Sequence, residues 1–252
     1  MCYHFWVGNK KRLSVVIPVY NEEQDLPRNI PILHKFLKDN LNEYAWDIVV
    51  TDNGPSRDRT PEVSKELVRQ YHSVRYVLVP RPGRGSALKE VWLAANSDYL
   101  CYMDIDLSSD LNFLPKLISA LETSDIAIGS RLAKGAQVYG RTLTREIMSR
   151  GYNILIRLMF WISFADAQCG FKAITRTAAQ KLLPNIKDNA WFFDSELLIV
   201  GEKAGFKIQE IPIIWRDDPR STVKVAKTAW GDIKGLIRLF VTRPWLKLKI
   251  QN

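Results

Sequence analysis

The chain has 252 residues, 46% of them hydrophobic, which is enough apolar material to bury a large core and too much for a disordered polymer. It carries 36 basic and 27 acidic residues, a net charge of +9, and three widely spaced cysteines, Cys2, Cys101 and Cys169. Three such cysteines make no disulfide framework, and no basic start leads into an apolar run of signal-peptide length, so the expectation is a reducing, cytoplasmic setting.

Short apolar runs rich in β-branched residues occupy 13–20, 47–53, 74–80, 99–106 and 126–131 and read as strands. Segments near 22–41, 61–72, 86–96 and 112–122 read as helices, the second opening on Thr60 as a cap with Pro61 in the first helical position. Strand and helix alternate, so the fold class is α/β, with a mostly parallel sheet covered by helices on both faces. Ligands in such sheets bind beyond the carboxyl ends of the strands, and the polar clusters of this chain fall at those ends. After residue 131 the pattern changes to two amphipathic helices, 146–164 and 225–241, each beside basic residues. The longest apolar stretch, 152–165, has 14 residues and contains Arg157, whereas a bilayer span needs about 20 apolar residues, so no transmembrane helix is expected.

The basic excess is local. Residues 131–150 carry five basic and one acidic residue, and residues 220–252 carry eight and one, while the remainder of the chain is slightly acidic. Such patches suit phosphates, anionic lipid head groups or nucleic acid, or simply form a solvated surface.

In the stretch YLCYMDIDLSSD, Asp104 and Asp106 end an apolar strand, and residues i and i+2 of a strand face the same way. Two carboxylates so placed suit a hard dication, Mg2+ or Mn2+, that bridges to substrate phosphates; a turn or helix start built on Asp106, Ser108 and Ser109 explains them equally. PVYNEE puts Pro18, Tyr20, Asn21 and Glu22 after the first strand, and TDNG puts Asp52 after the second. PRPGRGSAL has Gly83 and Gly85 of a dinucleotide fingerprint, but Leu88 stands at the third glycine and the preceding strand is third in the chain, so an NAD site is disfavoured and Arg84 is expected to face a phosphate.

These segments, PVYNE, DNG with Asp58 and Thr60, GRGSAL, MDIDL and IGSR, resemble family 2 of the nucleotide-sugar glycosyltransferases. SRGYNILIRLMF, DAQCGFKAITR, WFFDSELL and EIPIIWRDDPRSTVKV narrow the resemblance to the dolichyl-phosphate mannose and dolichyl-phosphate glucose synthases, over residues 13–240. The resemblance implies a GT-A-type, Rossmann-like catalytic domain over 1–219, with 220–252 as a basic loop and C-terminal amphipathic helix. It implies donor binding by Pro18, Tyr20, Glu22 and Asp52, and a metal-bound diphosphate at Asp104 and Asp106 with Ser108 at the third ligand position, where many mannose synthases have Gln. Gln168 to Lys172 is placed near the sugar and leaving group, and Asp194 or Glu196 at a wall of the sugar pocket, a helix-start role for Asp194 being the alternative. Arg131, Arg145 and Ser149 match the residues that hold the lipid phosphate, and Arg220, Ser221 and Lys224 match a segment that closes over donor or acceptor phosphate. Arg145 and Ser149, four apart, share a helix face, while Arg141 and Arg150 read as surface residues. Cys169 has no neighbouring base in the sequence to activate it as a nucleophile.

The expected reaction is inverting transfer of glucose or mannose from a UDP-sugar or GDP-sugar to dolichyl or polyprenyl phosphate. The expected location is the cytoplasmic face of a membrane, with the two amphipathic helices in its interface and no nucleic-acid partner. A family 2 transferase acting on a sugar or protein hydroxyl and a non-catalytic basic module for membranes or nucleic acid are the rival readings.

Overall fold

The computed structural model describes residues 10–217 and 225–248. Strands β1 (Arg12–Val19), β2 (Ala45–Asn53), β3 (Val74–Val79), β4 (Tyr99–Met103) and β5 (Ile126–Ser130) alternate with helices α1 (Leu26–Asn40), α2 (Thr60–Gln70), α3 (Arg84–Ala94) and α4 (Leu114–Ser119). Then follow β6 (Gln137–Tyr139), α5 (Leu143–Phe160), β7 (Phe171–Thr175), α6 (Arg176–Leu182), α7 (Phe193–Lys203), β8 (Ile208–Pro212), β9 (Ile214–Arg216) and α8 (Val225–Thr242).

The main sheet has seven strands in the order β3-β2-β1-β4-β7-β5-β8, and β6 and β9 form a separate parallel pair. Only β7 runs against its neighbours, antiparallel to both β4 and β5. The sheet is α/β and mostly parallel, as the alternation predicts. Successive residues feed opposite faces: Leu100 and Tyr102 of β4 join the core under α3, α6 and α7, while Cys101 and Met103 join the core under α1, α2 and α4. Both faces being apolar is why these strands read as continuous hydrophobic runs.

Strand order reverses between β1 and β4, the place where such sheets open a crevice. The β1–β4 pairing stops at Val16 with Tyr102, before Pro18, so the missing N–H of Pro18 costs that ladder nothing.

Three local departures follow from packing. The fourth strand ends at Met103, not at 106; Asp104 leaves it and Asp106 lies in a turn that α1 fastens through Asn29 Nδ2 donating to Ile105 O at 2.9 Å. Thr60 is already helical, and its hydroxyl accepts the Glu22 N–H at 2.7 Å instead of capping its own helix. In α5 the buried positions are Ser149, Asn153, Ile156 and Phe160, so the apolar stripe that marks the helix faces out. Leu158 is 72% and Trp161 87% exposed. Helix α8 does the reverse on its inner side, where Leu236 and Leu239 enter the core, while Trp230, Ile237 and Val241 face out. Among the described residues no helix is long and apolar enough to cross a membrane.

Candidate active site at the sheet rim

A pocket opens beyond the carboxyl ends of β4 and β5. Of the residues singled out in the sequence, it brings together Arg84, Asp104, Asp106, Ser108, Arg131, Arg145, Ser149 and Gln168. Pro18, Tyr20, Glu22 and Asp52 do not line it; they sit at the neighbouring ends of β1 and β2. Arg220, Ser221 and Lys224 lie outside the described residues.

The carboxylate wall comes first. Asp104 faces Arg84 Nη1 at 3.4 Å, and burial with the charges of Asp106 and Asp194 pushes its carboxyl up to about 6 despite Arg84 and Lys172. Gly170, just before β7, makes room for it: a Cβ there would stand 2.0 Å from Asp104 Oδ2. Asp106 Oδ1 accepts the Ser108 N–H at 2.9 Å. Burial, then Asp25, Asp106, Asp58 and Asp104, push Glu22 up to about 7. This crowding of acids marks a place that wants positive charge.

Among the described residues no three acidic, His or Cys side chains converge on one point, so the protein alone offers no complete cation cage. Two pocket-facing carboxylates still fit Mg2+ or Mn2+, which keeps waters and takes substrate phosphate oxygens for the rest of its shell.

At the end of β2, Asp52 is fully buried and accepts Ser56 Oγ at 2.9 Å and the Tyr76 hydroxyl at 3.2 Å. Burial raises its carboxyl, against those hydrogen bonds. Tyr20 is exposed beside it, and the Arg57 N–H donates to Asn21 Oδ1 at 2.8 Å, tying the first loop to the second.

The pocket also holds Arg131, Arg141 and Arg145, each paired with a carboxylate. Arg131 leaves β5 and donates Nε and Nη2 to the two oxygens of buried Asp166 at 2.8 and 2.9 Å. Burial would raise Asp166, but Arg131 holds it at about 2. Arg145 donates Nη1 to both oxygens of Asp217, each at 2.9 Å. Ser149, one turn along α5, is buried with its Oγ lacking a hydrogen-bond partner among the described residues. Arg141 is no surface residue: its side chain is 10% exposed, lines the pocket and pairs with Glu146 at 3.0 Å. Trp215, on β9, lies between Arg131 and Arg141, whose guanidinium carbons are 5.4 and 5.8 Å from its ring centre. Arg150 is exposed and pairs with the same Glu146.

Two expectations change. Asp194 and Glu196 do not line the pocket: both are fully buried, Asp194 between Arg84 at 2.5 Å and Lys172 at 3.1 Å with the Tyr102 hydroxyl donating to it, Glu196 against Arg238 at 2.8 Å. Arg84 therefore spends much of its charge on protein carboxylates, while its face stacks over Trp191 at 4.4 Å. Gly83 and Gly85 answer packing, not phosphate: a Cβ on Gly83 would meet Asn189 O at 2.1 Å, and one on Gly85 would meet Phe193 at 2.6 Å. Burial pushes the Cys169 thiol up to about 12, which leaves no thiolate nucleophile.

Sequence reasoning missed Trp191, Trp215, Asp217 and Asp232, which also line the pocket. Asp232 had a signal, being the sole acid in the basic segment 220–252.

The sheet-rim pocket thus gathers the carboxylates Asp104, Asp106, Asp217 and Asp232 with the arginines Arg84, Arg131, Arg141 and Arg145. Residues 14–183 match the family described as Glycosyl transferase family 2. The chain belongs to glycosyl transferase family 2 and is a glycosyltransferase, which removes the non-catalytic reading. It is 34% identical over 247 residues to glycosyltransferase AglD of Haloferax volcanii, covering 95% of this chain and 38% of that protein. It is 31% identical to dolichyl-phosphate beta-glucosyltransferase ALG5D of Trichomonas vaginalis, covering 94% of this chain and 75% of that one. The Saccharomyces cerevisiae dolichyl-phosphate beta-glucosyltransferase is 30% identical, with 85% and 70% covered. The chain thus spans little more than a third of AglD and about three quarters of ALG5D. In fold it is similar to glucosyl-3-phosphoglycerate synthase of Mycobacterium tuberculosis, solved with Mn2+ and UDP-glucose, at TM-score 0.65 and 18% identity, covering 91% of this chain and 79% of that one.

Proposed function

We propose that the chain transfers glucose, with inversion, from a nucleoside diphosphate glucose to a dolichyl or polyprenyl phosphate at a membrane surface. The observation that carries this is that one pocket is lined both by Asp104 and Asp106, at the end of β4, and by Arg131, Arg141 and Arg145, from the end of β5 to the start of α5. The names of the Trichomonas and yeast relatives support glucose and a dolichyl-phosphate acceptor, and leave mannose as the rival hexose.

Each wall has a separate task. Asp104 and Asp106 would hold the Mg2+ or Mn2+, with the Ser108 backbone fixing the Asp106 carboxylate. When bound, the dication neutralises charge on the departing diphosphate. Pro18, Tyr20, Glu22 and Asp52 border that wall and serve the nucleotide. Arg131 is held rigid by Asp166, and Arg145 and Ser149 turn one face of α5 toward the acceptor. A phosphate monoester has a second pKa of about 6, so it arrives as an anion and needs no general base. Alignment of two charged partners is then most of the catalysis.

The outward faces of α5 and α8 support a lipid surface as the place of reaction. Ile147, Leu158, Trp161, Ile237 and Val241 are exposed, with exposed Arg150, Arg157, Lys234 and Arg243 interspersed to meet anionic head groups.

Incubation with UDP-glucose or GDP-mannose, Mn2+ and either a short polyprenyl phosphate or the corresponding polyprenol tests the proposal. The expected product is a glycosyl phosphate lipid from the phosphate and none from the alcohol. Transfer to the alcohol would move the assignment to the hydroxyl-acceptor reading, and no transfer with either would refute it.

A further inference from the structure

One carboxylate in the pocket has no task in this scheme. Asp232 lies on α8, only 3% exposed, and lines the pocket. Its Oδ2 accepts Gln168 Nε2 at 3.0 Å, while its Oδ1 is buried without a hydrogen-bond partner among the described residues. An acceptor left in this state is costly, and its presence in a native fold calls for an occupant that donates to it. The position is built: Gly235, one turn along, lets α8 press on Phe192, since a Cβ there would stand 2.3 Å from that ring. Any larger residue there would force α8 or the Phe192 ring to shift.

The chemistry of the occupant follows from its neighbours. A carboxylate repels phosphate, so neither the diphosphate nor the acceptor phosphate belongs here. Burial, then the charges of Asp188 and Asp194, push Asp232 up to about 6 against Arg84 and the Gln168 hydrogen bond, and those two acids add to the repulsion of a second anion. Trp191, 44% exposed and with Arg84 over one side of its ring, lines the same pocket. A neutral ring with O–H donors at its edge and C–H groups on its face meets both demands.

We propose that Asp232, oriented by Gln168, accepts hydroxyl hydrogen bonds from the donor's hexose and is a specificity-determining residue of the sugar subsite. This rests on the donor assignment above. It also places the sugar contact on the helix whose other face carries Trp230, Ile233 and Ile237, so sugar binding and the seating of α8 are joined in one element.

The test compares affinities for UDP and UDP-glucose, each with Mn2+, in the wild type, Asp232→Ala and the isosteric Asp232→Asn, with thermal melts to verify folding. Asp232→Ala is expected to weaken UDP-glucose about tenfold or more and UDP less than about twofold, with Asp232→Asn between. In turnover, one member of a 2-, 3-, 4- and 6-deoxyglucose donor series is expected to be penalised by the wild type and not further penalised by Asp232→Ala. Equal weakening of UDP and UDP-glucose, or an unchanged deoxy-donor profile, would overturn the assignment. A collapse of turnover with donor affinity intact would make Asp232 a base and overturn it as well. A wild type that binds neither UDP-glucose nor GDP-mannose would instead defeat the donor assignment itself.

Discussion

Asp166 has no exposed surface and keeps its charge because Arg131 grips both its oxygens. Removing the guanidinium in Arg131→Ala strands a buried carboxylate and should cost about 3–5 kcal/mol in chemical denaturation, beyond any loss of acceptor binding. The folded carboxyl, at about 2, lies below its ordinary 3.8, so its stabilisation is present above about pH 4 and lost as pH falls through 2. Acid unfolding of Asp166→Asn should lack that limb; an unchanged acid profile would contradict the pairing. Gly170 makes a complementary prediction. A methyl group there collides with the Asp104 carboxylate, which can swing aside, so Gly170→Ala should lose turnover by about tenfold to a hundredfold with little change in melting temperature. These two sites also show what residue types reveal unaided. Asp104 and Asp106 were legible as charges at the end of an apolar run, with a turn as the alternative, whereas Arg131 and Arg145 came only from the family resemblance. The pairing of Asp194 with Arg84, 110 residues away, was not legible, because nothing local distinguishes a buried ion pair from a pocket wall.

Helix α5 shows the same limit at the scale of an element. Its periodicity marks two unlike faces, but periodicity carries no sign: it does not say which face meets the protein. Here Ser149 and Asn153 point in, where Asn153 Oδ1 accepts the Ala167 N–H at 2.8 Å, and the leucines point out. That inversion makes sense when lipid, not water, lies outside. Leu158→Asp with Trp161→Ser should reduce co-sedimentation with anionic vesicles severalfold while leaving the melting temperature in place, since neither side chain packs on the core. Undiminished vesicle binding would remove α5 from the membrane face. The segment joining β9 to α8 holds a further handle. Asp217 occupies Nη1 of Arg145 where an acceptor phosphate would compete for it. Asp217→Asn should therefore lower the acceptor KM a few fold, and Arg145→Ala should raise it more than the donor KM; equal effects of Arg145→Ala on both constants would count against an acceptor role.

Across the whole molecule, the parallel core of β1 to β5 follows from alternating strand and helix patterns, and so the rim was predictable. Strand β7 was not foreseen: FKAIT has the look of a strand, but its antiparallel insertion between β4 and β5 depends on long-range pairing that local pattern does not encode. That insertion brings Gly170 and Gln168 to the rim where Asp104 and Arg131 emerge, and so turns a strand-end crevice into a walled pocket. The proposed reaction needs a division of labour across that pocket, leaving group on the Asp104–Asp106 side and acceptor phosphate on the Arg131–Arg145 side. A crystal structure with Mn2+, UDP and a short polyprenyl phosphate measures it directly. The account predicts an anomalous manganese peak bound by Asp106 and the lipid phosphate against Arg145 and Ser149; manganese away from both aspartates, or both phosphates on one wall, would contradict it.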